Sequence, residues 1–279
     1  MTKKIVSLCL IMTGLGLSSH GQSDSKKKSI DQIAQELSNP VSLTASLVLQ
    51  GNYNLWGGSL EGAGDQTSSS LIFLPTLPFK LGKYNLTVRP SFPTAAAPYL
   101  DEQGEWELQR GFGDIAVMGI VGRATKTGLL YGIGPTVIAP TASSPRLGKE
   151  QWQVGPVVLA GILKKWGVLG VLWQHWWGVG NVPEGQNQVN IGTTQFFYWF
   201  SLQKGWQIGG SPIATANYIN GVDTDFSIPL NIGLAKTLMV GNTPIKATVQ
   251  GQYFATRPDQ IGPSWGVFFQ ITPVINVPW

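Results

Sequence analysis

The stretch WGVFFQITPVINVPW, residues 265–279, decides the fold. Trp265, Val267, Phe269, Ile271, Pro273, Ile275, Val277 and Trp279 occupy every second position. In an extended chain successive side chains point to opposite faces, so these eight form one unbroken apolar face of a β-strand.

The same period recurs upstream. Val41, Leu43, Ala45, Leu47, Leu49, Gly51, Tyr53 and Leu55 alternate with the mostly polar Ser42, Thr44, Ser46, Gln50, Asn52 and Asn54. Phe226, Ile228, Leu230, Ile232 and Leu234 form another apolar face, and Ile245, Ala247, Val249, Gly251 and Tyr253 stand against Lys246, Thr248, Gln250 and Gln252. Reading the whole chain this way predicts twelve strands, at 41–55, 68–81, 84–93, 112–123, 129–140, 151–163, 166–178, 189–202, 206–218, 226–238, 244–254 and 264–279.

The connections between them alternate in length, short at Gly82-Lys83, 124–128 and 164–165, long at 94–111 and 141–150. Charge divides the same way. Eleven of the 15 acidic residues fall in the long connections, including Asp101, Glu102, Glu105 and Glu107, whereas Lys80, Lys83, Arg123, Lys126, Lys164, Lys165, Lys204 and Lys236 sit at the short turns. Charged residues are only 12% of the chain, half the usual quarter, and 11 Trp and 35 Gly are high counts. This combination predicts an all-β protein of 279 residues: a transmembrane antiparallel up-and-down β-barrel of about twelve strands over residues 41–279, with a short N-terminal helix.

Alternation alone does not say which way the apolar face points, because a soluble barrel would turn it inward. Strand count, loop asymmetry and aromatics near strand ends (Trp56, Phe79, Tyr84, Trp152, Trp166, Trp177, Trp206 and Trp265) favour outer-membrane lipid as the surround. Proline argues the other way: Pro75, Pro78, Pro90, Pro135, Pro156, Pro212, Pro229 and Pro273 fall inside these strands, where each removes a ladder hydrogen bond.

The first residues read as a signal peptide, 1–21: Lys3 and Lys4, an apolar run from Ile5 to Leu17, and small residues before a cut after Gly21. Its removal takes away Cys9, the only cysteine, and two of the four net positive charges, leaving +2. Nothing in that balance calls for nucleic acid. The expected location is the outer membrane of a Gram-negative bacterium. Residues 22–40 form a polar segment in which Ser29, Gln32 and the apolar Ile30, Ile33, Ala34 and Leu37 predict a capped amphipathic helix closed by Pro40, either a periplasmic lead-in or a plug in the lumen.

The segments DQIAQELSNP (31–40), GFGDI (111–115), YGIGPTVIAPTAS (131–143), WQVGPVVLAG (152–161), PLNIGLAKTL (229–238) and PDQIGPSWGVFFQITP (258–273) carry a family likeness. From about Asp31 onward the chain resembles the bacterial outer-membrane transporters of the meta-pathway of phenol degradation type, some of which bear the label neuromedin U. The resemblance implies an outer-membrane barrel that passes small hydrophobic or aromatic solutes. A last strand ending on Trp279 has the form of the terminal signal read by the barrel-assembly machinery.

Catalytic chemistry is scarce. Every carboxylate except Asp114 lies outside the predicted strands, so no acid pair can be placed in the wall for acid/base work. His175 is the only histidine after cleavage, which with no cysteine excludes multi-ligand metal sites, and no cofactor motif occurs. His175 would be the base of an outer-membrane acyl hydrolase, yet Gln174, Trp176 and Trp177 do not resemble that family's motif. Its blander role is in the aromatic girdle or the lumen lining. Its facing stays open, since strand 166–178 is apolar on both parities.

Arg89, Gln195, Asn231, Lys246, Gln250 and Gln252 lie opposite the apolar set and are expected to face the lumen. They would line a solute path or fill the interior with hydrogen bonds. Twelve strands fall between barrels packed shut and open porins, so any pore is narrow. A channel for small solutes, a non-conducting structural or adhesive barrel, and a hydrolase are the three functions in contention.

Overall fold

The computed structural model describes residues 28–219 and 223–277, so the leader expected at 1–21 and the terminal Trp279 lie outside the described residues. A short helix, α1 (Ile30–Glu36), precedes fourteen strand segments. These are β1 (Ser46–Gly57), β2 (Thr67–Leu81), β3 (Tyr84–Leu100), β4 (Trp106–Phe112), β5 (Ile115–Ala124), β6 (Leu129–Ala139) and β7 (Trp152–Lys164). They continue with β8 (Gly167–Val179), β9 (Asn190–Gln203), β10 (Trp206–Gly210), β11 (Ile213–Ile219), β12 (Asp223–Val240), β13 (Thr243–Thr256) and β14 (Gly262–Pro273).

Two pairs of segments each make one strand of the wall. Both β4 and β5 run along β3, and both β10 and β11 lie between β9 and β12. Every pairing is antiparallel, and β14 returns to β1, with Leu49 opposite Ile271 and Tyr53 opposite Val267. The result is a closed barrel of twelve strands with no free edge, the form a β protein needs in hydrocarbon, where an unpaired backbone group finds no water.

The apolar parities face outward. On β12 and β13, Leu230, Ile232, Leu234 and Val249 are exposed, Ile232 to 68%, and Trp265, Val267, Phe269 and Ile271 continue the band on β14. A soluble monomer rarely shows an apolar patch beyond a few hundred Å², so a band around the whole wall requires lipid. At the short-turn end, Lys236 Nζ donates to Lys204 O at 2.7 Å and lies over the Trp206 ring, and Lys164 Nζ donates to Thr127 O at 2.6 Å. The turn lysines therefore neutralise exposed carbonyls and stack on aromatics at the rim.

Four expectations change. The first strand begins at Ser46, not Val41, because Val41 and Ala45 are buried and residues 37–45 run inside the barrel mouth. The last strand ends at Pro273, which has no N–H to continue the ladder; beyond it Ile275 N donates to Ala45 O at 3.0 Å. The connection expected at 94–111 is mostly a hairpin of β3 and β4 closed by Asp101, whose Oδ1 accepts from Gln103 N and Glu105 N. Its run of alanines hid the alternation. Consequently Glu107 lies in a strand, as do Asp223 and Asp225 in β12, while Asp114 sits between β4 and β5 rather than in one.

The prolines account for irregularities in the wall. The β2–β3 ladder is interrupted between Phe73↔Phe92 and Leu77↔Val88, the span holding Pro75 and Pro90. Pro135 faces Pro156 across β6 and β7, Pro212 separates β10 from β11, and Pro229 follows a bulge on β12. At Pro75, Pro90, Pro212 and Pro229 the missing donor coincides with a bulge or break, the positions where a sheet tolerates proline, whereas Pro78 sits in continuous register opposite Thr87.

Candidate lumenal site

The interior is divided by chemistry around its circumference. From β5 to β9 the inward residues are largely apolar: Met118, Ile120, Leu130, Val157, Leu159, Val168, Leu172, Phe197 and Trp199 form one buried cluster. This is why strands such as β8 read as apolar on both parities: one face meets lipid and the other a dry wall. From β12 through β14 to β1 polar residues predominate inward, namely Asn231, Lys246, Thr248, Gln250, Gln270, Thr272 and Ser46, all buried or part-buried, beside the apolar Ala235, Phe268 and Val48.

Polar groups on that side bind one another. Gln50 Nε2 donates to Gln270 Oε1 at 2.8 Å, and Gln270 Nε2 passes the chain to Thr272 Oγ1 at 2.8 Å. Gln250 Oε1 accepts from Asn231 Nδ2 at 3.3 Å and from Ser211 N at 2.8 Å. The Ser211 N–H is free for this bond because the wall breaks at Pro212, between β10 and β11. Tyr198, on the outward parity of β9 with the exposed Phe196 and Phe200, braces the wall at the same place, its hydroxyl donating to the backbone Asn231 O at 2.5 Å.

Two chambers lie along the axis. The larger, about 560 Å³, is lined by Asn52, Asn54 and Gln252 on one side and Met118, Ile138, Leu172 and Trp176 on the other. The smaller, about 130 Å³, is bounded by Lys246, Gln250, Phe197 and Trp199 and floored by Leu37, Ser38, Asn39 and Pro40. Gln50, Arg89, Gln195, Ser211 and Gln270 line both and form the neck between them.

The floor is the segment after α1, held at the short-turn end. Ser29 caps the helix through a capping box with Gln32. Asp31 Oδ1 accepts from Gly205 N at 2.5 Å, and Gln35 Nε2 donates to Lys164 O and Lys165 O, tying the helix to two turns. Lys246 Nζ donates to Ser38 Oγ at 2.7 Å, and Asn85 Nδ2 donates to Val41 O at 2.7 Å. Val41 itself is fully buried in the apolar cluster, over Gly122, where a Cβ would come within 2.9 Å of its Cγ1. The segment thus closes the smaller chamber at the short-turn end.

The six residues expected in the lumen are placed as follows. Arg89 and Gln195 are at the neck, Lys246 and Gln250 in the lower chamber, Gln252 in the upper one, and Asn231 is buried in the network beside Gln250. Sequence reasoning missed the plug contacts of Ser38 and the neck residues Gln50, Ser211 and Gln270; parity on β1 and β14 would have found two of these, whereas Ser211 faces inward only because of the break.

His175 lies on the other side of the wall. It shares the parity of the exposed Trp173 and Trp177, and its ring is covered by both and by Tyr218, with Nε2 2.7 Å from Asn190 Oδ1. Its Nδ1 side packs on Gly192, and among the described residues no hydroxyl is bonded to it. No group of residues suited to a metal ion occurs among the described residues.

No protein-family model matches this sequence, and no curated protein does. Among solved structures, an outer membrane channel from Pseudomonas putida F1 superposes with a TM-score of 0.64 at 13% identity, covering 84% of this chain and 97% of that one. The β domain of the Bordetella autotransporter BrkA aligns more loosely, with a TM-score of 0.46 at 12% identity over 83% of this chain and 100% of that one. Closed twelve-strand topology, an outward apolar belt and a chambered interior define an outer-membrane β-barrel with a channel-like fold.

Proposed function

We propose that this barrel is a passive channel of the bacterial outer membrane, reached by secretion with its leader removed, that admits small solutes with hydrophobic or aromatic bodies. The observation that carries the reading is the pair of chambers joined at a polar neck, together large enough for a small molecule, whose upper wall is half amide and half hydrocarbon. The plug of residues 37–41 is then a gate seated on hydrogen bonds rather than a continuous part of the wall.

Uptake into proteoliposomes tests it. Phenol and benzyl alcohol should enter vesicles carrying the protein faster than empty ones, and faster still when residues 28–40 are deleted. Rates equal to those of empty vesicles for both forms would refute a channel. A non-conducting structural barrel is favoured by one observation, the plug itself, and predicts that neither form conducts.

A further inference from the structure

We infer that the neck is an anion subsite, and that the solutes this channel selects are small organic monoanions, carboxylates above all, with an apolar body. The inference deepens the channel reading and rests on it for the word solute, but the site can be tested without transport.

Among the described residues, Arg89 and Lys246 are the only ionisable side chains lining either chamber, and both are basic. No carboxylate faces them. Asp31 and Glu36 on the plug are engaged elsewhere, with Gly205 N and with Lys28 and Thr44, and the remaining acids of the described chain lie outside both chamber linings. A buried cation ordinarily keeps an acidic partner, because an uncompensated charge is expensive away from water. Lys246, only 4% exposed, has a hydroxyl, Ser38 Oγ, and the face of Trp199 at 5.1 Å. Arg89 has less: its Nε is buried with no hydrogen-bond partner in the protein, at the point where the chambers meet.

Arginine presents a planar fork of donors that matches a carboxylate in two parallel bonds. Around it Gln50, Gln195 and Gln270 add neutral amides, and Ser91 a hydroxyl. Above it the larger chamber offers Leu74, Met118, Leu172, Trp176 and Phe268. An anionic head at Arg89 therefore leaves the body of the molecule against hydrocarbon, and a neutral molecule of the same shape forgoes the charged bonds.

Benzoate and its neutral counterpart benzyl alcohol are suitable probes for the full-length protein in detergent, read by tryptophan fluorescence, since Trp176 lines the larger chamber. Benzoate should bind at least tenfold more tightly than benzyl alcohol. Arg89→Gln should abolish that preference, and Arg89→Lys should restore part of it. Heat-modifiable migration confirms that each variant is a folded barrel. Equal binding of the two probes, preference unchanged in Arg89→Gln, or no binding of benzoate would overturn the subsite. Proteoliposome uptake separates the two claims: benzoate bound but not transported removes the channel and leaves the site, whereas uptake blind to charge removes the site and leaves the channel.

Discussion

Val41→Ala should loosen the plug by an amount that can be worked from its surroundings. The side chain is fully buried among Met118, Ile120, Leu130 and Val157, and Gly122 beneath it has no side chain to move into the space left behind. Deleting two methyl groups costs about 1.6 kcal/mol at ~0.8 kcal/mol per buried carbon. The unfilled cavity raises this to about 2–3 kcal/mol. Because the barrel wall is unchanged, that energy falls on the docked-to-undocked equilibrium of the plug, shifting it roughly 30- to 160-fold. With Cys9 replaced by Ser and Leu37 by Cys, position 37, on the floor of the lower chamber, carries the single thiol. Its rate of maleimide labelling in folded barrels should rise by the same factor when Val41 is Ala. An unchanged rate would refute the claim that Val41 latches the plug, and a rate already as fast as an unstructured peptide's would refute docking altogether.

Ile232→Arg places a charge on the most exposed apolar position of the band and should destabilise the barrel by about 2–4 kcal/mol, read as a lower urea midpoint in lipid vesicles. Asp114→Ala removes the acceptor of three backbone N–H groups, those of Thr141, Ala142 and Lys149, so the 140–150 loop should become sensitive to protease while the barrel still folds. His175→Ala should lower thermal stability by about 1 kcal/mol through loss of its contacts with Trp173, Trp177 and Tyr218 and leave any esterase background untouched. A drop in ester hydrolysis would reopen the hydrolase.

The wall was legible because its signal is local. A period of two repeats wherever one face meets lipid, and the turns with their lysines mark the strand ends, so twelve strands could be read from the residues alone. The errors fall where the period and the fold part company. Val41 to Ala45 keep the alternation but serve the plug, and Ala95 to Ala97 lose it although β3 continues through them. Helix α1 was visible from Ser29 and Gln32, but the residues alone left it either a periplasmic lead-in or a plug, because its seat depends on Gln35 and Asp31 meeting turns more than a hundred residues away.

The interior was less legible for a physical reason. In a barrel filled with water every inward position is polar, and parity then assigns each residue to one face. Here β5 to β9 turn hydrocarbon inward as well as outward, so parity in those strands carries no information and His175 could not be placed until Gln174 and Trp176 were seen lining the chamber. The same feature underlies the proposed selectivity. A uniformly polar neck of this width would pass water and ions with little discrimination, whereas hydrocarbon on one side, amides on the other and an unpaired guanidinium between them favour a molecule that has both an apolar body and an anionic end. The proline-bearing breaks belong to this arrangement too: at Pro212 the wall opens enough for Ser211 to turn its N–H to Gln250, and at Pro90 the ladder lapses beside Arg89. Straightening either strand would restore ladder hydrogen bonds at the expense of the chamber, which is the order of preference expected if the chamber is what the fold serves.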